Sequence, residues 1–384
     1  MARFVLYQGV SRYDALTVFV GELRRGLEQA GHEVALVDLA QPGFEGPLRA
    51  ALNSQPQAAI GFNAVGADAA VAGKLLHEQQ AVPYTAFLVD HPIYHLARLR
   101  TPLARYIVTF IDHSHVDFAK THFPNLRAAF LAHGACDPGP LEAAERDLDV
   151  VLAGSYEDPE EVAAGWRQGT GKTTAALLEE IAERTLQDPL TPLSQHAQMA
   201  FDAHQVPMEV IDLDAYCALL MLVDRYVRSL WRARCLEALD AAGISADVYG
   251  LDWSKLRRST RHRFRGALGF TELNQVLKRA KVVLAVGANF PNGSHERVLT
   301  AMRCGAATVT DRNAYFAAEF AADRELGLYD LVRSESAAEK VAALLADPGA
   351  RESLGQAGRR AVVEKHTWQH RARELAALLE AQTV

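Results

Sequence analysis

The chain has no excess of basic charge, no paired cysteines and no long apolar run, and each absence removes a class of function. Its 384 residues carry 40 Lys and Arg against 47 Asp and Glu, a net charge of −7. That balance argues against a nucleic-acid partner, since general nucleic-acid binders present a strongly basic face. The four cysteines, Cys136, Cys217, Cys235 and Cys304, stand far apart with no CxxC pair. Neither a zinc module nor a disulfide framework is expected, and the four read as reduced, mostly buried thiols. The longest apolar run, AYCALLMLV from Ala215 to Val223, is less than half of the roughly 20 residues that a membrane span needs. MARFVLYQG is too short in apolar residues for a signal-peptide core. No short-period repeat or low-complexity tract occurs. A soluble cytoplasmic protein without a membrane span is the expectation.

What is present is an alternation of strands and helices. RFVLYQG, EVALVDL, AAIGFN, YTAFLVD, YIVTFI and AAFLAHG are short apolar runs rich in Val, Ile, Phe and Tyr, and several of the segments between them carry helical spacing. In the first of these helices Leu16, Phe19, Val20, Leu23 and Leu27 share a face and Gly31 stops it. Continuous apolar strands alternating with helices predict a parallel sheet covered on both sides. Residues 1–137 are therefore expected to form one doubly wound domain, and the Pro-, Gly- and charge-rich stretch 138–147 a linker. DVVLAGS, ADVYG, KVVLAVG and ATVT begin the same pattern again and predict a second domain over 148–365. Within it, about 157–243 reads as mostly helical, far longer than the roughly 10 to 15 residues a crossover needs, so it is an inserted helical subdomain or a lid. The fold class expected is α/β: two Rossmann-like doubly wound domains facing a cleft, the second with a helical insertion.

The stretch NFPNGSHERVLTAMRCGA, Asn289 to Ala306, falls between the strands KVVLAVG and ATVT. The spacing predicts a loop leaving a strand's carboxyl end, Ser294 as a helix cap, a helix to about Cys304 and a stop at Gly305. Ligands bind outside the carboxyl ends of open parallel sheets, and a helix amino end there offers free N–H groups to an anion such as pyrophosphate. Arg297 adds a donor for phosphate, and Glu296 an acceptor for sugar or ribose hydroxyls. The plainer alternative is that Ser294 only caps and Glu296 pairs with Arg297 or solvent.

The run GSHERVLTAMRCGAATVTD resembles the signature of the group-1 glycosyltransferases of two-domain GT-B fold, particularly a spore-protein-like bacterial branch; ADVYGLDW, FTELNQVLKRAKVVL and HTWQHRARELAALL extend the likeness. It covers Leu148 to Ser155 and Ile244 to the end, while the first half agrees only in architecture. The resemblance implies transfer of a sugar from a nucleotide-diphosphate sugar, held mainly by the second domain, to a glycan, protein or lipid-linked acceptor held mainly by the first, with no metal and no cofactor beyond the donor. Donor contacts would fall on Asn292, Gly293, Ser294, His295, Glu296, Arg297, Thr300 and Asp311. Many relatives carry two glutamates where this chain has Asn292 and Thr300. Asn292 keeps hydrogen-bonding capacity, whereas Thr300 is too short to bridge ribose hydroxyls, leaving Glu296, one turn earlier, as the candidate substitute. The departure keeps a non-catalytic nucleotide- or carbohydrate-binding protein of the same fold as the alternative, with a nucleotide-sugar epimerase behind it. The resemblance also implies that residues 366–384 form a helix crossing back to the first domain, a hinge for closure.

On the acceptor side, strands of the first domain end in Asn63, Asp90 and His91, Asp112 and His113, and His133, and GVSRYD places Ser11, Arg12, Tyr13 and Asp14 at the same edge. Asp14, Asp90 and His91 are the candidates for a catalytic base or sugar contact, with capping or turn roles as the plain alternative. A metal-hydrolase site built from His91, His95, His113 and His115 is a further alternative, against which Pro92 breaks the helical HxxxH geometry. GTGKTT, Gly169 to Thr174, lacks the leading glycine and strand of a phosphate-binding loop, so Lys172 and Thr173 are expected only to start a helix. The basic run KLRRSTRHRFRG, Lys255 to Gly266, reads as a solvated loop, with one or two arginines near the nucleotide or, alternatively, peripheral docking on an anionic acceptor or membrane surface. Trp253 and Phe270 are expected in the core, with base stacking as the other use.

Overall fold

The computed structural model describes residues 1–141, 146–208, 211–256, 261–287 and 289–381, with the side chain of Arg12 outside that description. Arg257 and Arg258 of the basic run, and part of the expected linker, lie outside the described residues. The chain divides into two compact units, Met1–Asp137 with Glu364–Val384, and Pro138–Val363.

In the first unit six parallel strands run in the order β2-β1-β3-β6-β7-β8, with β1 Arg3–Gln8, β2 Glu33–Asp38, β3 Ala58–Phe62, β6 Tyr84–Leu88, β7 Tyr106–Phe110 and β8 Arg127–Phe130; β4 Ala70–Val71 and β5 Lys74–Leu75 form a separate antiparallel pair. All five residues of β3, of β6 and of β7 are buried, as continuous apolar runs in a sheet covered on both faces must be. In the helix Ala15–Gln29, Phe19, Val20, Leu23 and Leu27 are buried and Leu16 is half-buried. The chain leaves this helix through Gly31 at φ 85°, a conformation that costs a side-chain-bearing residue. The terminal helix Trp368–Ala381 packs on Ala15–Gln29. A Cβ at Gly26 would stand 2.8 Å from the Ala372 Cβ, so only glycine permits this approach. Trp368 fills the unit's centre, ringed by Phe19, Phe62, Phe87 and His133.

The second unit repeats the plan with the order β11-β10-β9-β12-β13-β14: β9 Leu148–Ala153, β10 Asp247–Tyr249, β11 Arg263–Gly266, β12 Ala280–Leu284, β13 Ala307–Asp311 and β14 Gly327–Tyr329, all parallel. Between β9 and β10 stand the helices Pro159–Gly169, Lys172–Gln187, Leu193–Ala203 and the 29-residue Leu213–Ala241. The core under the sheet joins Val151, Leu277, Val283, Ala301 and Cys304. All four cysteines are buried thiols.

Three expectations need correction. Lys255–Gly266 is not wholly a loop: Arg263–Gly266 is edge strand β11, and Arg263 and Arg265 both bind the fully buried Asp247 carboxylate, at 2.7 Å each. Ser294 does not cap; the helix is Glu296–Arg303 and its cap is His295, whose Nδ1 accepts from the Arg297 N–H at 3.2 Å. His113 does not join the other histidines, because its ring stacks on Phe130 at 3.9 Å. GTGKTT behaves as expected, Gly171 preceding a helix that begins at Lys172 and following another helix, not a strand.

Candidate functional site

Strand order reverses between β9 and β12: from β9 the chain continues to β10 and β11 on one side, then returns to β12 and continues to β13 and β14 on the other. Such a reversal leaves a crevice at the carboxyl ends of the two strands, where open α/β sheets bind ligands. In the second unit that crevice is lined by Gly154 and Ser155 after β9, and by the segment from Ala285 to the helix Glu296–Arg303 after β12.

The loop before this helix is held from β13 and the turn that follows it. The buried Asp311 carboxylate, at the end of β13, accepts the Gly287 N–H at 2.6 Å, and burial raises its pKa above the usual carboxylate value. Asn313 donates from Nδ2 to the carbonyls of Phe290 and Gly293 at 2.8 and 2.9 Å, while its Oδ1 accepts from the Phe316 N–H. Ser294 and Thr300 are 0% and 1% exposed, so both side chains are enclosed by protein. Asn292 and the His295, Glu296 and Arg297 side chains are partly exposed. Glu296 Oε2 lies 2.6 Å from His295 Nδ1 and its Oε1 3.7 Å from Arg297 Nη2, so the expected alternative of a Glu296–Arg297 pairing is present.

The feature that the sequence reading missed comes from the inserted helix Leu213–Ala241. Asp224, Arg228 and Arg232, spaced four apart, lie on one face of it. Arg232 Nη1 donates to the Ser155 carbonyl at 2.7 Å. Gly154, at φ 153°, leaves room for this contact, since a Cβ there would stand 3.2 Å from the guanidinium and push it aside. Burial, then the charges of Arg228 and Arg297, depress the Arg232 pKa. A guanidinium stays charged at physiological pH, so Arg232 carries its positive charge into this half-buried setting. Arg232 thus feels the guanidiniums of Arg228 and Arg297 and the carboxylates of Asp224 and Glu296, with Arg228 paired to Asp224 at 2.6 Å and Arg297 to Glu296 at 3.7 Å. Beside these groups, the amino end of Glu296–Arg303 adds the helix's partial positive charge. The arrangement is suited to a phosphate or diphosphate anion.

In the first unit the strand order reverses between β1 and β3. Asp14, after β1, is exposed and follows Tyr13, the pair at φ 56° and 62°, both left-handed, a strained conformation of the kind that clusters at functional sites. Asp90, after β6, is half-exposed and accepts from Asn63 Nδ2 at 2.7 Å, with His95 Nε2 at 3.7 Å. Asn63 follows β3 with φ 49°. His91 is buried, and its Nδ1 accepts the Ile93 N–H as a cap, the plain alternative in the sequence reading. Its ring meets His115 at 4.3 Å. Among the described residues no group of three or more His, Cys, Asp or Glu side chains is placed to hold a metal ion. Trp253 is buried, donates from Nε1 to the Gly154 carbonyl at 2.6 Å and stacks on Tyr156; Phe270 is also buried.

Residues 228–377 match the family model described as "Glycosyl transferase-like". Similar solved structures include an α-glucosyltransferase in complex with UDP and a 13-mer DNA (TM-score 0.56, 11% identity, 99% of each chain covered). HepE of Anabaena in complex with UDP is another (TM-score 0.51, 12% identity, 99% of this chain and 100% of that one). A third is sucrose-phosphate synthase from Thermosynechococcus elongatus (TM-score 0.51, 11% identity, 100% of this chain and 99% of that one). At these identities the likeness shows the fold alone: two Rossmann-like parallel-sheet domains, as in glycosyltransferases of the GT-B class. No curated protein sequence matches the chain.

Proposed function

We propose that the protein is a glycosyltransferase that takes a sugar from a nucleoside-diphosphate donor bound by its second unit. The observation that carries the reading is the group of Arg228, Arg232 and Arg297 beside the amino end of Glu296–Arg303 at the strand reversal. It is supported by the family match over the same segment and by the GT-B fold. Cations fixed in place neutralise charge that builds on the departing diphosphate, the role a divalent metal plays elsewhere. Transfer is accordingly inferred to need no added metal. Asn292 and Glu296 face the donor sugar or ribose, and the Asp311–Gly287 and Asn313–Gly293 bonds hold the loop that carries them.

On the first unit Asp90 is assigned the acceptor proton and Asp14 a contact to the acceptor, a glycan, protein or lipid-linked group; His91 supports the turn. The spore-protein-like pattern in GSHERVLTAMRCGA belongs to this reading as well. UDP is the first ligand to test, being the nucleotide held by two of the similar structures. A thermal-shift panel of UDP, GDP, dTDP, ADP and CMP, with and without chelator, tests the site, because a ligand that binds only the folded chain raises its melting temperature. No shift with any of them overturns the reading. The second reading, a binding protein without turnover, draws on the enclosure of Thr300, which leaves no side chain in place of the relatives' second glutamate; release or transfer of sugar from a labelled donor separates the two.

A further inference from the structure

We propose that Asp224 is a positioning residue of the donor site, locking the loop after β12 to the arginines of the inserted helix. The inference rests on the nucleoside-diphosphate reading above and adds to it a role for the insertion, which supplies and aligns part of the site. Asp224 is 2% exposed. Its Oδ1 accepts from Asn289 Nδ2 at 2.6 Å, and its Oδ2 holds Arg228 Nη2 at 2.6 Å. One buried carboxylate thus bonds two elements 65 positions apart: the helix that carries Arg228 and Arg232, and the loop that leads to Glu296 and Arg297. Asn289 takes a left-handed conformation, φ 68°, which Asn tolerates better than most residues. The bond to Asp224 ties its side chain to the inserted helix. A second tie, from Arg232 to the Ser155 carbonyl, anchors the same helix to the end of β9.

The physical content lies in a sign. A carboxylate near a diphosphate repels it, so if Asp224 acted by charge alone its neutralisation would tighten binding. If it acts by position, neutralisation frees Arg228 from its partner and loosens the Asn289 anchor, and binding weakens although the site has become more positive.

The test is calorimetric titration of the full chain with UDP and with inorganic pyrophosphate, for wild type, Asp224→Asn, Asn289→Ala and the double variant, with the melting temperature of each recorded. Dissociation constants at least about tenfold higher are expected for Asp224→Asn and for Asn289→Ala. The double variant is expected to be no weaker than the worse single one, since both remove the same link. Asn289 is half-buried in a loop, so Asn289→Ala carries the test alone should Asp224→Asn fail to fold. Binding by Asp224→Asn that equals or exceeds wild type, or losses that simply add, overturns the role of Asp224. A wild-type chain that takes neither UDP nor pyrophosphate overturns the donor reading and this inference together.

Discussion

The side-chain amide of Asn313 donates to the carbonyl oxygen of Gly293 at 2.9 Å and to that of Phe290 at 2.8 Å. One side chain thereby sets the course of the loop that enters the helix Glu296–Arg303. Its Oδ1 also caps the helix Ala314–Glu319 through the Phe316 N–H. Asn313→Ala removes all three bonds and is expected to lower stability by about 2 kcal/mol and to weaken UDP binding. Asn313→Asp keeps the cap but turns a carboxylate toward two carbonyl oxygens, so its loss of UDP affinity should match or exceed that of Asn313→Ala. Urea denaturation and UDP titration of both variants check this; an Asn313→Asp that binds UDP normally contradicts it.

The strands were legible where burial dictated their composition. Ala58–Phe62 and Tyr84–Leu88 are buried at every position and so read as runs with almost no polar residue. Strand β11, RFRG, was hidden because all four of its residues are exposed. It pairs along a sheet edge, and its arginines answer to the Asp247 carboxylate of the neighbouring strand. The loop and helix after β12 were legible from Gly293 and the His-Glu-Arg triplet, but the cap was misassigned: Ser294 and His295 are adjacent, and either side chain can accept an N–H. Arg228 and Arg232 were missed for a different reason. Their helix has the amphipathic pattern of any buried helix, and what places them at the site is tertiary: the reversal of strand order and the glycine at 154. The one local signal was the repeat of charged residues at 224, 228 and 232 on a largely apolar helix.

Removing a guanidinium should separate stability from ligand binding. Arg232 bonds to Ser155 but also stands among like charges, so Arg232→Ala loses a hydrogen bond and sheds repulsion, and the ligand-free melting temperature should move little. On the proposed reading a bond from Arg232 to a phosphate oxygen would contribute about 1.5–3 kcal/mol, so the UDP dissociation constant should rise roughly 10- to 100-fold. Arg232→Lys keeps the charge without the planar fork and should recover only part of the affinity. An Arg232→Ala chain whose melting temperature rises with UDP as much as wild type's does would remove Arg232 from the site.

Acid should destabilise the first unit before it affects the carboxylates. His77, His115 and His366 are buried, and burial lowers their pKa to about 4, 3 and 3. The unfolded chain protonates these histidines near 6.5, while the folded chain resists until far lower pH. The stability that their neutral forms contribute is complete above about pH 6.5 and is lost progressively toward pH 4, by on the order of 1–3 kcal/mol for each. Melting curves from pH 7.5 to 4.5 should show this decline, and His77→Gln, which cannot protonate, should flatten it. A melting temperature that does not change over this range contradicts the assignment.

Asp90 and His91 are neighbours with separable roles. The Asp90 carboxylate is half-exposed at the carboxyl end of β6 and held by Asn63, open enough to receive a proton from an acceptor hydroxyl. His91 is turned inward and spends Nδ1 on the Ile93 N–H. Asp90→Asn preserves shape and the ability to accept from Asn63 but abolishes basicity. It should therefore cut kcat by about 100-fold or more, the usual contribution of a general base, while the UDP dissociation constant stays at the wild-type value. His91→Ala should instead cost about 1 kcal/mol of stability through the lost cap, with kcat falling only a few-fold. Measuring kcat, UDP affinity and melting temperature on the same preparations distinguishes the two patterns. Turnover that survives in Asp90→Asn transfers the search for the base to Asp14, where Asp14→Asn should then produce the loss expected of Asp90.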